Sequence, residues 1–293
     1  MKKPAAVTFD PFRDGELFIS VPTTESQKEI WASIEIDRDA NLCYNESIRI
    51  SLKGELNISA LEKALNLVIK KHDALRGTFS PRGKEFLVSN YQERELPILD
   101  IADLPTNEQN LKIQQKIVDA TKFRFDLVHG PLFIFELIKL STNNHLFFIT
   151  AHHLVCDGWS IAVIVNELSV AYELYLSGES PPAELPKQLY EYALETKDKK
   201  IDPYWVNEFK DIPKTLDLPA DLPRPEFRRY ESHRIDYQIN PHVIKATQTM
   251  ASKNRKSFYQ YLLTAFDVLL YKLTNNDDFV VGISSAAQSA AGL

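Results

Sequence analysis

Two apolar runs, Leu132–Ile138 and Leu146–Ala151, stand close together with the turn-rich Ser141–Asn144 between them. Runs of this length, bounded by turn residues, read as two connected strands. The second run ends on His152-His153-Leu154-Val155-Cys156-Asp157-Gly158. From Trp159 to Tyr175, Ile161, Ile164, Val165, Leu168, Ala171 and Tyr172 recur at helical spacing. The whole segment therefore reads as strand, tight turn, helix. A histidine at the end of a buried strand can be presented to a ligand by a rigid scaffold. Its ordinary pKa also suits it to move protons near neutral pH. Strand alternation sends two adjacent histidines to opposite sides.

The elements around this centre are mixed. Thr24 followed by Gln27 reads as the cap of a short helix running through Trp31. Ser47–Leu52 alternates like a half-buried strand, and Asn57 opens a helix with an apolar face at 61, 65, 68 and 69. Short strands are predicted at 75–79 and 85–89, and a helix at 107–122. Ser177–Pro182 reads as a boundary, and the proline-rich 211–225 excludes a regular helix or central strand. Beyond it, strands are predicted at 233–239 and 279–284 and helices at 241–252 and 257–273. This gives three regions: a lead-in over 1–20, a first lobe over 21–180 and a second part over 186–293. The class is α/β, an α+β two-layer sandwich.

Composition narrows the function. A net charge of −6 supplies no basic excess for nucleic acid. No segment is long and apolar enough to be a signal peptide or to span a bilayer. Cys43 and Cys156 lack metal-ligand spacing, which fits a soluble protein of the reducing cytoplasm. His72, His129, His145, His233 and His242 are scattered without ligand spacing, so no metal site is expected. No glycine-rich phosphate loop is present.

Several local patterns, in series, resemble the condensation domain of nonribosomal peptide synthetases. Thr24–Trp31 is similar to its opening motif, with Gln27 before Trp31. Lys71-His72-Asp73-Ala74-Leu75-Arg76-Gly77-Thr78-Phe79 is similar to its second motif. His152–Gly158 matches its core motif, His-His-x-x-x-Asp-Gly, without departure. Phe125-Asp126-Leu127, Gly130-Pro131-Leu132 and Leu218–Pro225 also resemble family segments. The resemblance implies two chloramphenicol acetyltransferase-like lobes with an active site between them. Here the first lobe is followed by only the first part of the second, so the second lobe is expected to be truncated.

The resemblance implies amide formation between an upstream carrier-bound acyl thioester and the amine of a downstream carrier-bound aminoacyl group. No cofactor is expected on the domain itself, because the phosphopantetheine arms belong to the partner carriers. An adjacent adenylation domain is a further expected partner, and nucleic acid and membrane are not. His153 is expected to engage the attacking amine, as base or as orienting group. Gly158 serves as a permissive turn residue, as room for the thioester with an N–H near the oxyanion, or as both. His152 is expected to be structural, and Asp157 to form a structural ion pair with Arg76. Cys156 is expected to be a small buried side chain, and Ser160 lacks the neighbours of an activated nucleophile. The alternatives are an O- or N-acyltransferase using coenzyme A or a carrier, an epimerisation domain, and a silent module that recruits carriers.

Overall fold

The structure is a computed structural model describing residues 17–182, 184–211, 215–226 and 235–283. In chain order its elements are β1 (Leu17–Pro22), α1 (Glu25–Ile36), α2 (Ala40–Cys43), β2 (Asn45–Lys53) and α3 (Ile58–Lys71). A 3-10 turn at Asp73–Arg76 leads to β3 (Gly77–Phe79), β4 (Glu85–Ser89), β5 (Ile98–Asp100) and α4 (Thr106–Lys122). Then come β6 (Phe133–Ser141), β7 (Asn144–His152), α5 (Gly158–Ser177), α6 (Leu189–Thr196), α7 (Pro203–Glu208), α8 (Pro241–Lys253) and α9 (Phe258–Thr274). The described residues form two compact units, one ending at Lys199 and the other beginning at Lys200.

The first unit is built on a four-stranded sheet of order β2-β7-β6-β5, antiparallel except for the β5–β6 pair. A smaller antiparallel sheet has the order β1-β4-β3. β7 is buried from His145 to His152, because helices cover both faces of its sheet. On one face Phe147, Ile149 and Ala151, with Phe133 and Leu137 of β6, meet Leu65 and Val68 of α3 and Ile161, Ile164 and Leu168 of α5. On the other, Leu146, Phe148 and Ile138 meet Ile113 of α4. The two-residue strand period sorts these side chains. At roughly 1.5–3 kcal/mol for each fully buried large apolar side chain, this double burial anchors β7 firmly.

Helix starts follow the capping residues read from the sequence. Thr24 and Gln27 form a reciprocal box at α1, and the Asn57 side chain accepts from the Ala60 N–H at α3.

The structure departs from the sequence reading in several places, one being the strand predicted at 75–79, which begins only at Gly77 because Asp73–Arg76 forms the 3-10 turn. Leu17–Ser20 is not an irregular lead-in but most of β1, whose pairing with β4 is remote in sequence; residues 1–16 lie outside the described residues. The first unit also continues past Pro181-Pro182 to include α6. There the buried Asp73 carboxylate accepts from the Leu189 and Tyr190 N–H groups at 3.1 and 3.0 Å. The Gln188 amide returns the tie, accepting from Asp73 N–H and donating to the Lys71 carbonyl.

A further departure lies in the second unit. The predicted strands at 233–239 and 279–284 do not form over their described parts, 235–239 and 279–283. No strand pairs with either among the described residues, and an extended segment without a neighbour has no ladder to join. Residues 233, 234 and 284 are outside the described set. The helices predicted at 241–252 and 257–273 are present as α8 and α9.

Candidate active site

The turn after β7 is held from several sides. β7 ends where the His152 N–H donates to the Leu132 carbonyl at 2.9 Å, and the His153 N–H donates to the Tyr44 carbonyl at 2.7 Å. The Val155 and Cys156 N–H groups then fold back onto the His152 carbonyl. Gln27 of α1 donates its side-chain amide to the Leu154 carbonyl at 3.0 Å, in a buried position. The capping glutamine of the first helix therefore also clamps this turn.

The two histidines occupy opposite environments. His152 is fully buried, with its ring against those of Tyr44 and Phe125. Its Nδ1 accepts from the Leu154 N–H at 3.2 Å, which assigns the ring proton to Nε2. Nε2 itself is buried without a hydrogen-bond partner among the described residues. Burial, aided by neighbouring His153, pushes the His152 pKa down to about 4. The ring is therefore neutral at physiological pH.

His153 is 33% exposed at the side chain, and its Nε2 lies 2.8 Å from the Glu46 carboxylate. The pairing register explains the approach. Glu46 stands opposite Ala151, on the sheet face that position 153 rejoins one step beyond the strand. The Asn45 side-chain amide donates to the Ala120 and Phe123 carbonyls, which secures the start of β2. The Tyr44 ring meets the His153 ring edge-on at 6.4 Å.

Asp157 and Gly158 start α5. Asp157 is the N-cap: its carboxylate accepts from Ser160 N–H at 2.8 Å and Ser160 hydroxyl at 2.6 Å. A cap of this kind contributes about 0.5–2 kcal/mol. The Gly158 and Trp159 N–H groups have no acceptor among the described residues, as the first N–H groups of a helix do not. Gly158 has no left-handed φ, so the turn does not need its backbone freedom. A Cβ built there meets nothing within 4 Å, so the room is real. Cys156 is buried, and desolvation, with the charges of Asp157 and Glu46, pushes its thiol up to about 12. Such a thiol is a poor nucleophile at neutral pH.

The expected Arg76–Asp157 ion pair is not formed. Arg76 donates from Nη1 to the Ile69 and Lys70 carbonyls, at the end of α3, and from Nε to the Ser89 carbonyl. A guanidinium satisfies a helix C-terminus well, because the last carbonyls lack partners and carry negative partial charge. Asp157 is committed to Ser160. Arg76 lines a cleft of about 610 Å³ together with Arg94 and His129, and no residue of the His152–Gly158 turn lines it.

Sequence reasoning placed His152, His153, Asp157 and Gly158 together, and the structure does the same. It missed Glu46, Tyr44 and the clamping role of Gln27. Only Gln27 carried a local signal, through its place in the capping box. Glu46 reaches His153 through strand pairing across about a hundred residues, which no local pattern encodes.

Comparison with known proteins places the whole chain among similar sequences and folds. The chain is 32% identical over 279 residues to bacitracin synthase 2 of Bacillus licheniformis, covering 93% of the chain and 10% of that protein. It is 28% identical over 280 residues to a linear gramicidin synthase polypeptide of Brevibacillus parabrevis, covering 92% of the chain and 6% of that protein. It thus spans about a tenth or less of the length of these relatives. Among solved structures, a four-domain nonribosomal peptide synthetase bound to AMP and glycine superimposes with a TM-score of 0.76 at 20% identity, covering 94% of this chain and 21% of that one. The first condensation domain of the calcium-dependent antibiotic synthetase gives 0.70 at 18% identity, covering 92% and 66%. The fold is therefore the mixed α/β fold of these domains. The family profile of the condensation domain matches residues 20–290, and on that match the chain belongs to the condensation domain family.

Proposed function

We propose that this chain joins an acyl thioester on an upstream carrier to the amine of an aminoacyl group on a downstream carrier. Both reactants hang from phosphopantetheine arms of the partner carriers. An adjacent adenylation domain supplying the acceptor fits the multidomain relatives. The observation that carries this reading is the arrangement at one turn: an accessible His153 ring, two N–H groups at the start of α5 without an acceptor among the described residues, and open space at Gly158.

Each part has a task. A thioester is already activated, so holding the two groups together is the main contribution, about 7–11 kcal/mol when the geometry is good. His153 orients the amine and takes its proton as the C–N bond forms. A placed base adds about 10²–10⁴-fold. The Gly158 N–H, at the positive end of α5, faces the developing oxyanion. Net, ammonium and thioester give amide, thiol and one proton, which leaves for solvent. His152 is structural in this reading, sealed and neutral, and Asp157 is structural as a cap.

The test is incubation of the chain with two loaded carriers and mass analysis for an amide on the downstream arm. Product that disappears in His153→Ala, with melting unchanged, is expected. Absence of product from the folded chain, or equal turnover by His153→Ala, overturns the assignment. Gly158→Ala separates two roles: the added methyl meets nothing and suits a helix, so melting holds or rises. Loss of product in that variant ties the open space to substrate.

A further inference from the structure

We propose that Glu46 is a binding residue for the ammonium form of the acceptor. This rests on the condensation reading given above. The acceptor of such a reaction arrives as a protonated amine at neutral pH, and a carboxylate supplies the counter-charge that such a cation needs. Glu46 Oε1 lies 2.8 Å from His153 Nε2, with both side chains about one-third exposed, so an incoming group that reaches one ring atom of His153 also reaches this carboxylate.

Among the described residues Glu46 has no lysine or arginine within ion-pair distance, and its carboxylate meets the His153 ring at Nε2. Asp157, the other carboxylate at this turn, is taken up by Ser160. The Cys156 thiol, raised first by burial, is raised further by the nearby Asp157 and Glu46 carboxylates. Carboxylate and imidazole thus meet at one partly exposed edge, with the Tyr44 ring against the imidazole. That edge suits a primary ammonium better than an uncharged nucleophile such as a hydroxyl.

The experiment compares two stable mimics bound to the whole chain: a glycyl group joined by an amide to aminopantetheine, and the same molecule with a hydroxyl in place of the ammonium. Affinities are read by calorimetry, so no turnover is needed. The wild type is expected to bind the ammonium form about fivefold tighter, the upper range for a partly exposed ion pair. Glu46→Gln abolishes the preference, and Glu46→Asp retains part of it. His153→Ala keeps the preference while losing amide product. Equal binding of the two mimics by the wild type, or a preference that survives Glu46→Gln, overturns the proposal. Absence of amide product alongside an intact ammonium preference overturns the condensation reading instead, so the two failures are distinct.

Discussion

His152 and His153 are neighbours in the chain, yet one lies in a sealed aromatic pocket and the other on an open edge beside a carboxylate. One strand step separates the two environments. Burial in the first removes the charged state of the ring. Access in the second leaves a ring that a reactant can touch. Identical side chains thus meet opposite surroundings, and backbone position alone decides which is which.

This contrast can be broken most decisively through activity. His153→Ala is expected to lower amide formation by about 10²–10⁴-fold with little change in melting, as product assays and calorimetry will show. His152→Ala should do the reverse, with product following only the folded fraction. A His152→Ala protein that is stable but inactive would erase the distinction.

The next effect is on pH. The His152 pKa is near 4 in the folded chain against 6.5 for an ordinary imidazole. Between these values the unfolded chain binds the proton and the folded chain does not, so stability rises with pH across the window. The contribution is fully present above about pH 6.5 and is lost as pH falls through 4. Its size is about 3 kcal/mol. Urea titrations along this range should show that slope, and His152→Leu should flatten it. An unchanged slope would assign the titration to another group.

The clamp on the turn gives a smaller change. Gln27→Ala leaves the Leu154 carbonyl without its buried donor and should cost about 1–3 kcal/mol, measured by denaturant unfolding. Because the clamp holds both rings in place, this variant should also lower product formation. Smallest is Asp157→Ala, at about 0.5–2 kcal/mol, because a cap and not a buried ion pair is lost. A loss of 3–5 kcal/mol would restore the ion-pair view of this aspartate.

Much of this contrast was legible in the sequence. Period and length gave β6, β7 and α5, and alternation placed the histidines on opposite sides. Thr24 and Asn57 marked their helices because capping chemistry is local. What escaped detection was non-local. β1 exists because β4 accepts it, and Glu46 reaches His153 because β2 pairs with β7. Arg76 went to helix carbonyls because their attraction depends on where α3 ends in space. The missing strands at 235–239 and 279–283 show the converse: a β-like composition does not make a strand without a partner.

The tie between Asp73 and α6 bears on how the molecule can be divided. A fragment cut at Pro182, where composition suggests a seam, would strip the Leu189 and Tyr190 N–H groups from a carboxylate only 3% exposed. The carboxylate would lose both its donors and the cover of α6, and the neighbouring motif would loosen with it. A cut after Lys199 keeps the acid and its donors on one piece.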